Sequence, residues 1–433
     1  MFKDLDGKFE YSVNIWEGPK DYVIVIPADS NEEKKYALKI QNYYKNLCGL
    51  DLPIVTDKSK SVSKEILVGN TNRRESDFVL SEADLSVKYI NEKIVFIGGH
   101  TVTLKSAIEK YLRLKPSVNE VFTFDITTDF TSKVLDGYEY VWGDEFEGED
   151  VDFTKWDFEQ RMGGTQKIEI SYDKDVINVE DGRLKLHAIN LSEPLSANNK
   201  YKVPYSFVTK YKMNYLYGYA EIRARLPFYK GAWPSFWGLN IGGGNGPKSD
   251  GGVCFDKKAS DNAEYGIEVD VFEVFGDESK VIPNIHKWYK EENYPYDEIH
   301  GVSASNHSQL AGQSIWDWST KKDDISELSK EYHTYGFEWT EKEMSFYVDG
   351  RKYYTIDITK SYDLQDDMKR FQEPIFLMFN NHVFADDLPW YSTLVENVEN
   401  MPFCYYIDYF RLYQKPGVGE LYIDDTESHY ERK

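Results

Sequence analysis

Cysteine is scarce in this chain: three in 433 residues, at Cys48, Cys254 and Cys404. They are odd in number and far apart, so neither a disulfide framework nor a CxxC metal site follows from them. Histidine is equally sparse, and its eight positions show no HExxH-type spacing. No apolar run approaches membrane-spanning length, which excludes a helical membrane protein. The N-terminus, MFKDLDGKFEYSVNIW, has no apolar signal core. As written, the expectation is a cytoplasmic protein, or a secreted one whose leader has been removed. Basic residues are also in deficit, 51 against 74 acidic, for a net charge of −23. Such a field repels polyphosphates and polysulfates, so nucleic acid is excluded as the expected partner.

Aromatic rings are abundant instead: 34 Tyr, 24 Phe and 10 Trp, 16% of the chain. Rings in such numbers suit broad β-sheet packing, with some left over as ligand platforms. The length suits two or three domains. The first part alternates β and α signals. YVIVIPA (Tyr22–Ala28) reads as a strand. EEKKYALKIQNYYKNL then carries apolar residues at helical spacing and stops at Gly49. LPIVTD, EILVGNT, SVKYI and KIVFIGG read as strands, and TLKSAIEKYLRL as a second helix. This predicts a small α/β domain over residues 1–135. From Trp142 onward, short alternating strands separated by Gly, Asn and Asp predict an antiparallel sandwich over 136–433. The fold class expected is therefore mainly β, a sandwich preceded by a small α/β domain. The Gly-rich stretch Ile241–Gly252 lacks the GK[ST] ending of a phosphate loop and reads as a surface loop.

One segment carries chemistry. In Tyr265-Gly-Ile-Glu268-Val-Asp270-Val-Phe-Glu273-Val, alternation places Glu268 and Asp270 on one face of a strand. A strict period of two would send Glu273 to the other, buried face, where an unpaired carboxylate is costly. A β-bulge between Asp270 and Glu273 removes the conflict and puts all three acids on one face. Carboxylates this close cannot all ionise at ordinary pKa, so one is kept protonated beside a charged neighbour. Glycoside hydrolysis uses that pairing, and retaining enzymes hold the two carboxyl groups roughly 5–5.5 Å apart. A plain solvated strand face is the alternative for the spacing taken alone.

Further blocks surround the acids: Trp142-Gly-Asp-Glu145-Phe, Tyr217-Gly-Tyr-Ala-Glu221-Ile-Arg223-Ala-Arg-Leu-Pro, Trp233-Pro-Ser-Phe-Trp237, Phe337-Glu-Trp-Thr and Tyr406-Ile-Asp408-Tyr-Phe-Arg. Together, from about residue 138 to 415, they resemble family 16 of the glycoside hydrolases, in the branch with the six-residue ExDxxE form typical of laminarinases, agarases and carrageenases. The resemblance implies a concanavalin-like β-jelly roll and a retaining double displacement. Glu268 would be the nucleophile, Glu273 the general acid/base, and Asp270 the partner of the nucleophile. Ile267 stands where Gly is common in the family, and Gly238–Gly266 is long, so specificity is what these departures put in doubt. No cofactor is implied for catalysis. A structural calcium is implied, with Glu145, Gly182 and Asp408 at the positions that hold it. The N-terminal part, through YVIVIPAD and EILVGNTN, resembles the small non-catalytic domain of some α-glucuronidases and hexosaminidases.

Other residues divide between two roles. Trp233 and Trp237 share a strand face and either line a sugar subsite or pack in the core. Glu221 and Arg223 match cleft positions of the family, with a cross-strand ion pair as the alternative. His286 and Trp288 resemble a laminarinase His-Trp pair beside the site. The partner expected is a polysaccharide or oligosaccharide, with no membrane and an oligomeric state left open. The expected activity is endo-hydrolysis of a β-1,3- or mixed-linked glucan, the alternatives being a β-galactan hydrolase and a carbohydrate-binding protein without turnover.

Overall fold

Two apolar layers organise the chain, one against a pair of helices and one between two β-sheets. The computed structural model describes residues 12–13, 20–77, 80, 82, 84–114, 122–123, 126–128, 135–160, 168–191, 200–240, 265–274, 281–289, 300–303, 332–359, 371–383, 401–428, 430 and 432. It divides into two units, Met1–Tyr140 and Val141–Lys433. No helix among the described residues is long and apolar enough to cross a membrane.

In the first unit a six-stranded sheet runs in the order Ile54–Thr56, Val23–Ile26, Glu65–Val68, Lys93–Gly98, Leu85–Ile90, Ile126–Thr128. Its first three pairings are parallel and the last two antiparallel. The parallel strands are nearly continuous apolar runs because both of their faces are buried. The helix Glu32–Cys48 buries Tyr36, Ala37, Ile40 and Tyr44, one helical stripe, and ends at Gly49 with φ 74°. The helix Thr101–Leu112 begins at a reciprocal cap between His100 and Thr103. Both helices join the same apolar cluster as Ile24, Ile66, Ile94 and Phe96, and the Tyr44 and Tyr111 hydroxyls meet at 2.6 Å.

The second unit is a sandwich of two sheets. The first sheet follows the order Asp157–Glu159, Ser206–Val208, Ile375–Val383, Ala232–Asn240, Tyr265–Glu273, Ile282–Tyr289, His300–Ser303. The second has the path Ile168–Ser171, Tyr201–Pro204, Arg183–Asn190, Phe403–Gln414, Gly218–Arg225, His333–Trp339, Glu343–Val348, Arg351–Asp357. Every second residue of facing strands fills the space between them. Phe236, Phe272 and Phe379 of the first sheet meet Ile222, Tyr335, Phe337 and Phe410 of the second. Ring contacts cross the gap directly, with Phe272–Tyr335 centroids at 4.8 Å and Phe236–Phe410 at 6.3 Å. The aromatic excess thus goes mainly into the seam of the sandwich. The seam also fixes the register, since a one-residue slip would turn each strand's apolar set outward.

Candidate active site

On the acid-bearing strand Tyr265–Glu273, Ile267, Val269, Val271 and Phe272 all belong to the inter-sheet core, as does Val274 just beyond it. Two consecutive core residues, Val271 and Phe272, require a break in alternation, and the pairing supplies it. Toward the Ala232–Asn240 strand, Phe236 faces Phe272 while Trp237 faces Asp270, leaving Val271 as the extra residue. Toward Ile282–Tyr289 the register shifts between Asp270, opposite Asn284, and Glu273, opposite Ile282. This is a β-bulge, and it places Glu268, Asp270 and Glu273 together on the face away from the core.

The three acids differ in environment. Glu268 and Glu273 are half-buried, whereas Asp270 is only 2% exposed. Burial pushes the Asp270 carboxyl up to about 8, so the central acid of the row holds a proton at neutral pH. Glu273 accepts a hydrogen bond at Oε1 from the indole N–H of Trp233, 3.0 Å away. That bond fixes the carboxyl on one side.

The neighbouring strands continue the same face. Trp237 donates its indole N–H to Asn380 Oδ1 at 2.7 Å, and Asn380 donates from Nδ2 to Ser206 Oγ at 2.7 Å. Opposite Trp233 in register stands His382, their rings edge to face at 5.9 Å. Its Nδ1 lies 2.9 Å from the carbonyl of Val383. Both tryptophans therefore lie on the acid face and not in the core. The sequence reading missed Asn380 and His382. Their signal was an apolar strand, Ile-Phe-Leu-Met-Phe, that turns polar as Asn-Asn-His over its last residues.

His286 stands directly opposite Glu268 in register, and Trp288 opposite Gly266. The side chains of both lie outside the described residues.

Glu221 and Arg223 require a correction. They sit on Gly218–Arg225, a strand of the other sheet, whose Ala220, Ile222 and Ala224 face the core. Glu221 and Arg223 consequently point out on the opposite side of the sandwich from the acid row. Glu221 is fully buried and accepts hydrogen bonds from the Tyr219 and Tyr409 hydroxyls, both at 2.8 Å. Arg223 pairs with Asp408 at 2.8 Å. Period-two spacing identified one shared face but carried no information about which sheet the strand joins. The ion-pair alternative is what the structure contains, with Asp408 as the partner of Arg223.

Two of the three residues implied for calcium, Glu145 and Asp408, lie against arginines. Glu145 is bound by Arg411 through two hydrogen bonds, 2.8 and 2.9 Å, and Asp408 by Arg223. Asp408 lies at a register shift opposite Arg223 and Ala224, which turns its carboxylate onto the guanidinium. Both carboxylates are thus balanced by buried arginines. Among the described residues no group of three or more His, Cys, Asp or Glu converges as a metal site.

Comparison with known proteins follows the same outline. A relative from Niallia circulans, a glucan endo-1,3-beta-glucosidase A1, is 24% identical over 322 residues; the match takes in 70% of this chain but only 41% of that protein. A beta-glucanase from Rhodothermus marinus is 26% identical over 290 residues, covering 64% of this chain and 85% of the relative. Among solved structures, the catalytic domain of a laminarinase from Thermotoga petrophila aligns with 65% of this chain and 99% of its own, at 23% identity and a TM-score of 0.45. The profile of glycosyl hydrolases family 16 matches residues 164–378, a span that holds the bulged acid strand and the tryptophan strand beside it, and this part of the chain is identified with that family.

Proposed function

We propose that this protein is an endo-acting retaining glycosidase that cleaves a β-1,3- or mixed-linked glucan. The observation that carries the reading is the bulge between Asp270 and Glu273, because it turns three carboxyl groups onto one accessible face flanked by two tryptophans. In this reading Glu268 attacks the anomeric carbon of a bound sugar while Glu273 protonates the departing glycosidic oxygen. Water, deprotonated by the same Glu273, then releases the sugar with its configuration retained. Asp270, protonated, donates to the neighbouring carboxylate and keeps the negative charge on the nucleophile. Trp233 and Trp237 offer ring faces to sugar C–H surfaces. The glucan preference rests on the names of the relatives above.

The implied calcium, held at the positions of Glu145, Gly182 and Asp408, would brace the fold and take no part in the chemistry. For the N-terminal unit we propose a non-catalytic, substrate-positioning role.

Reducing-sugar release from laminarin, lichenan and agarose tests the proposal. Release from the two glucans and none from agarose is expected. Release from agarose alone would replace it with a galactan hydrolase. Binding without release from any of the three would replace it with a carbohydrate-binding protein.

A further inference from the structure

On the other side of the sandwich from the acid row, a cavity of about 310 Å³ opens where the strands Gly218–Arg225 and Phe403–Gln414 lie side by side. Its walls include Arg225, Tyr406, Tyr229, Phe403, Pro227 and Pro402. The volume is at the small end of the ~300–1,000 Å³ typical of ligand pockets, which suits one sugar ring better than a chain.

Arg225 sets its chemistry. Two outward arginines near it are matched to carboxylates: Arg223 to Asp408 and Arg411 to Glu145, each at 2.8 Å. Arg225 has no such partner among the described residues; its guanidinium lies over the Tyr406 ring at 4.4 Å and 5.7 Å from that of Tyr332. In a chain with 74 acidic against 51 basic residues, an arginine facing a cavity without a carboxylate is a departure from the surrounding pattern. The guanidinium also donates a hydrogen bond to the Tyr406 hydroxyl, and the rest of its in-plane N–H edge is left for a planar anion. Among the described residues no carboxylate lines the wall. Burial pushes the Cys404 thiol up to about 12, and the Tyr406 hydroxyl is also raised by burial. Tyr229 and Phe403, 5.9 Å apart, add apolar surface of the kind that covers sugar C–H groups.

We propose that this cavity is a non-catalytic subsite for an acidic sugar, in which Arg225 takes the carboxylate of a uronate residue and the surrounding rings take its pyranose. The choice of a sugar as occupant rests on the reading that the chain works on polysaccharide. The subsite would hold an acidic polysaccharide, or an acidic branch, against the enzyme while the opposite face cleaves.

Ligand-observed NMR titration of the full chain with methyl β-D-glucuronide, methyl β-D-glucoside and sodium acetate tests this. The glucuronide is expected to bind at least about tenfold more tightly than either of the others, because a charge-assisted bidentate contact and ring stacking are both needed. Arg225→Met should remove that preference, and Arg225→Lys should keep part of it, while release of sugar from neutral glucan stays at the wild-type rate in both. Equal binding of glucoside and glucuronide by the wild-type chain would overturn the proposal without relying on any variant's folding. So would acetate binding as tightly as the glucuronide, which is a bare anion contact, or glucuronide binding that survives Arg225→Met. None of these binding readouts depends on turnover, so failure of the glucanase reading would register separately, as absent sugar release.

Discussion

Trp233 donates its indole N–H to Glu273, the residue assigned the acid/base role, at 3.0 Å. The bond orients the carboxyl, yet it favours the charged form and so works against an acid that must hold a proton.

Trp233→Phe therefore tests orientation against charge. Losing the bond should move the alkaline limb of the kcat/KM profile upward by about one pH unit, since a bond to a charged group is worth ~1.5–3 kcal/mol. It should also lower kcat on substrates with poor leaving groups. A rise in KM with an unmoved limb would reduce Trp233 to a sugar platform.

Asp270 should make the fold less stable as pH rises. Its folded value is raised to about 8 from an ordinary 3.8, so the native state holds a proton that the unfolded chain releases. The stabilising contribution is complete below pH 4 and is lost progressively as pH rises to about 8. Asp270→Asn keeps the shape and removes the titration. Its melting temperature relative to wild type should therefore climb between pH 4 and pH 8 and level off above. A difference that is flat with pH would show that Asp270 is ionised in the native state.

Arg223 belongs to the scaffold. Arg223→Ala removes the guanidinium that pairs with Asp408, 2% exposed, and should cost ~3–5 kcal/mol of stability. Below the melting temperature, KM for glucan should stay within about twofold of wild type. A KM effect without loss of stability, by melting curve and steady-state kinetics together, would restore Arg223 to the cleft.

Much of this molecule was legible before its structure. The bulge followed from a conflict within one strand: alternation demanded that Glu273 be buried, and burial of a carboxylate demanded a break. Trp233 and Trp237 shared a face for the same period-two reason. The sequence was silent where the answer depends on which strands become neighbours. Glu221 and Arg223 look the same whichever sheet they join, and only the pairing with Phe403–Gln414 reveals Tyr409 and Asp408 as their partners. Asn380 and His382 were missed because their strand comes more than a hundred residues after the acids. Nothing local announces that it lies against Trp233 and Trp237.

Glu268 and Glu273 are assigned to the two sides of one bound sugar, with Glu268 as the attacking group. Incubation with an activated 2-deoxy-2-fluoro β-laminaribioside, followed by proteolysis and mass spectrometry, tests it directly, because the fluorine slows release of the glycosyl-enzyme. One labelled peptide is expected, with the sugar esterified to Glu268, and none from Glu268→Gln. A label on Glu273, or on a residue off this strand, would contradict it.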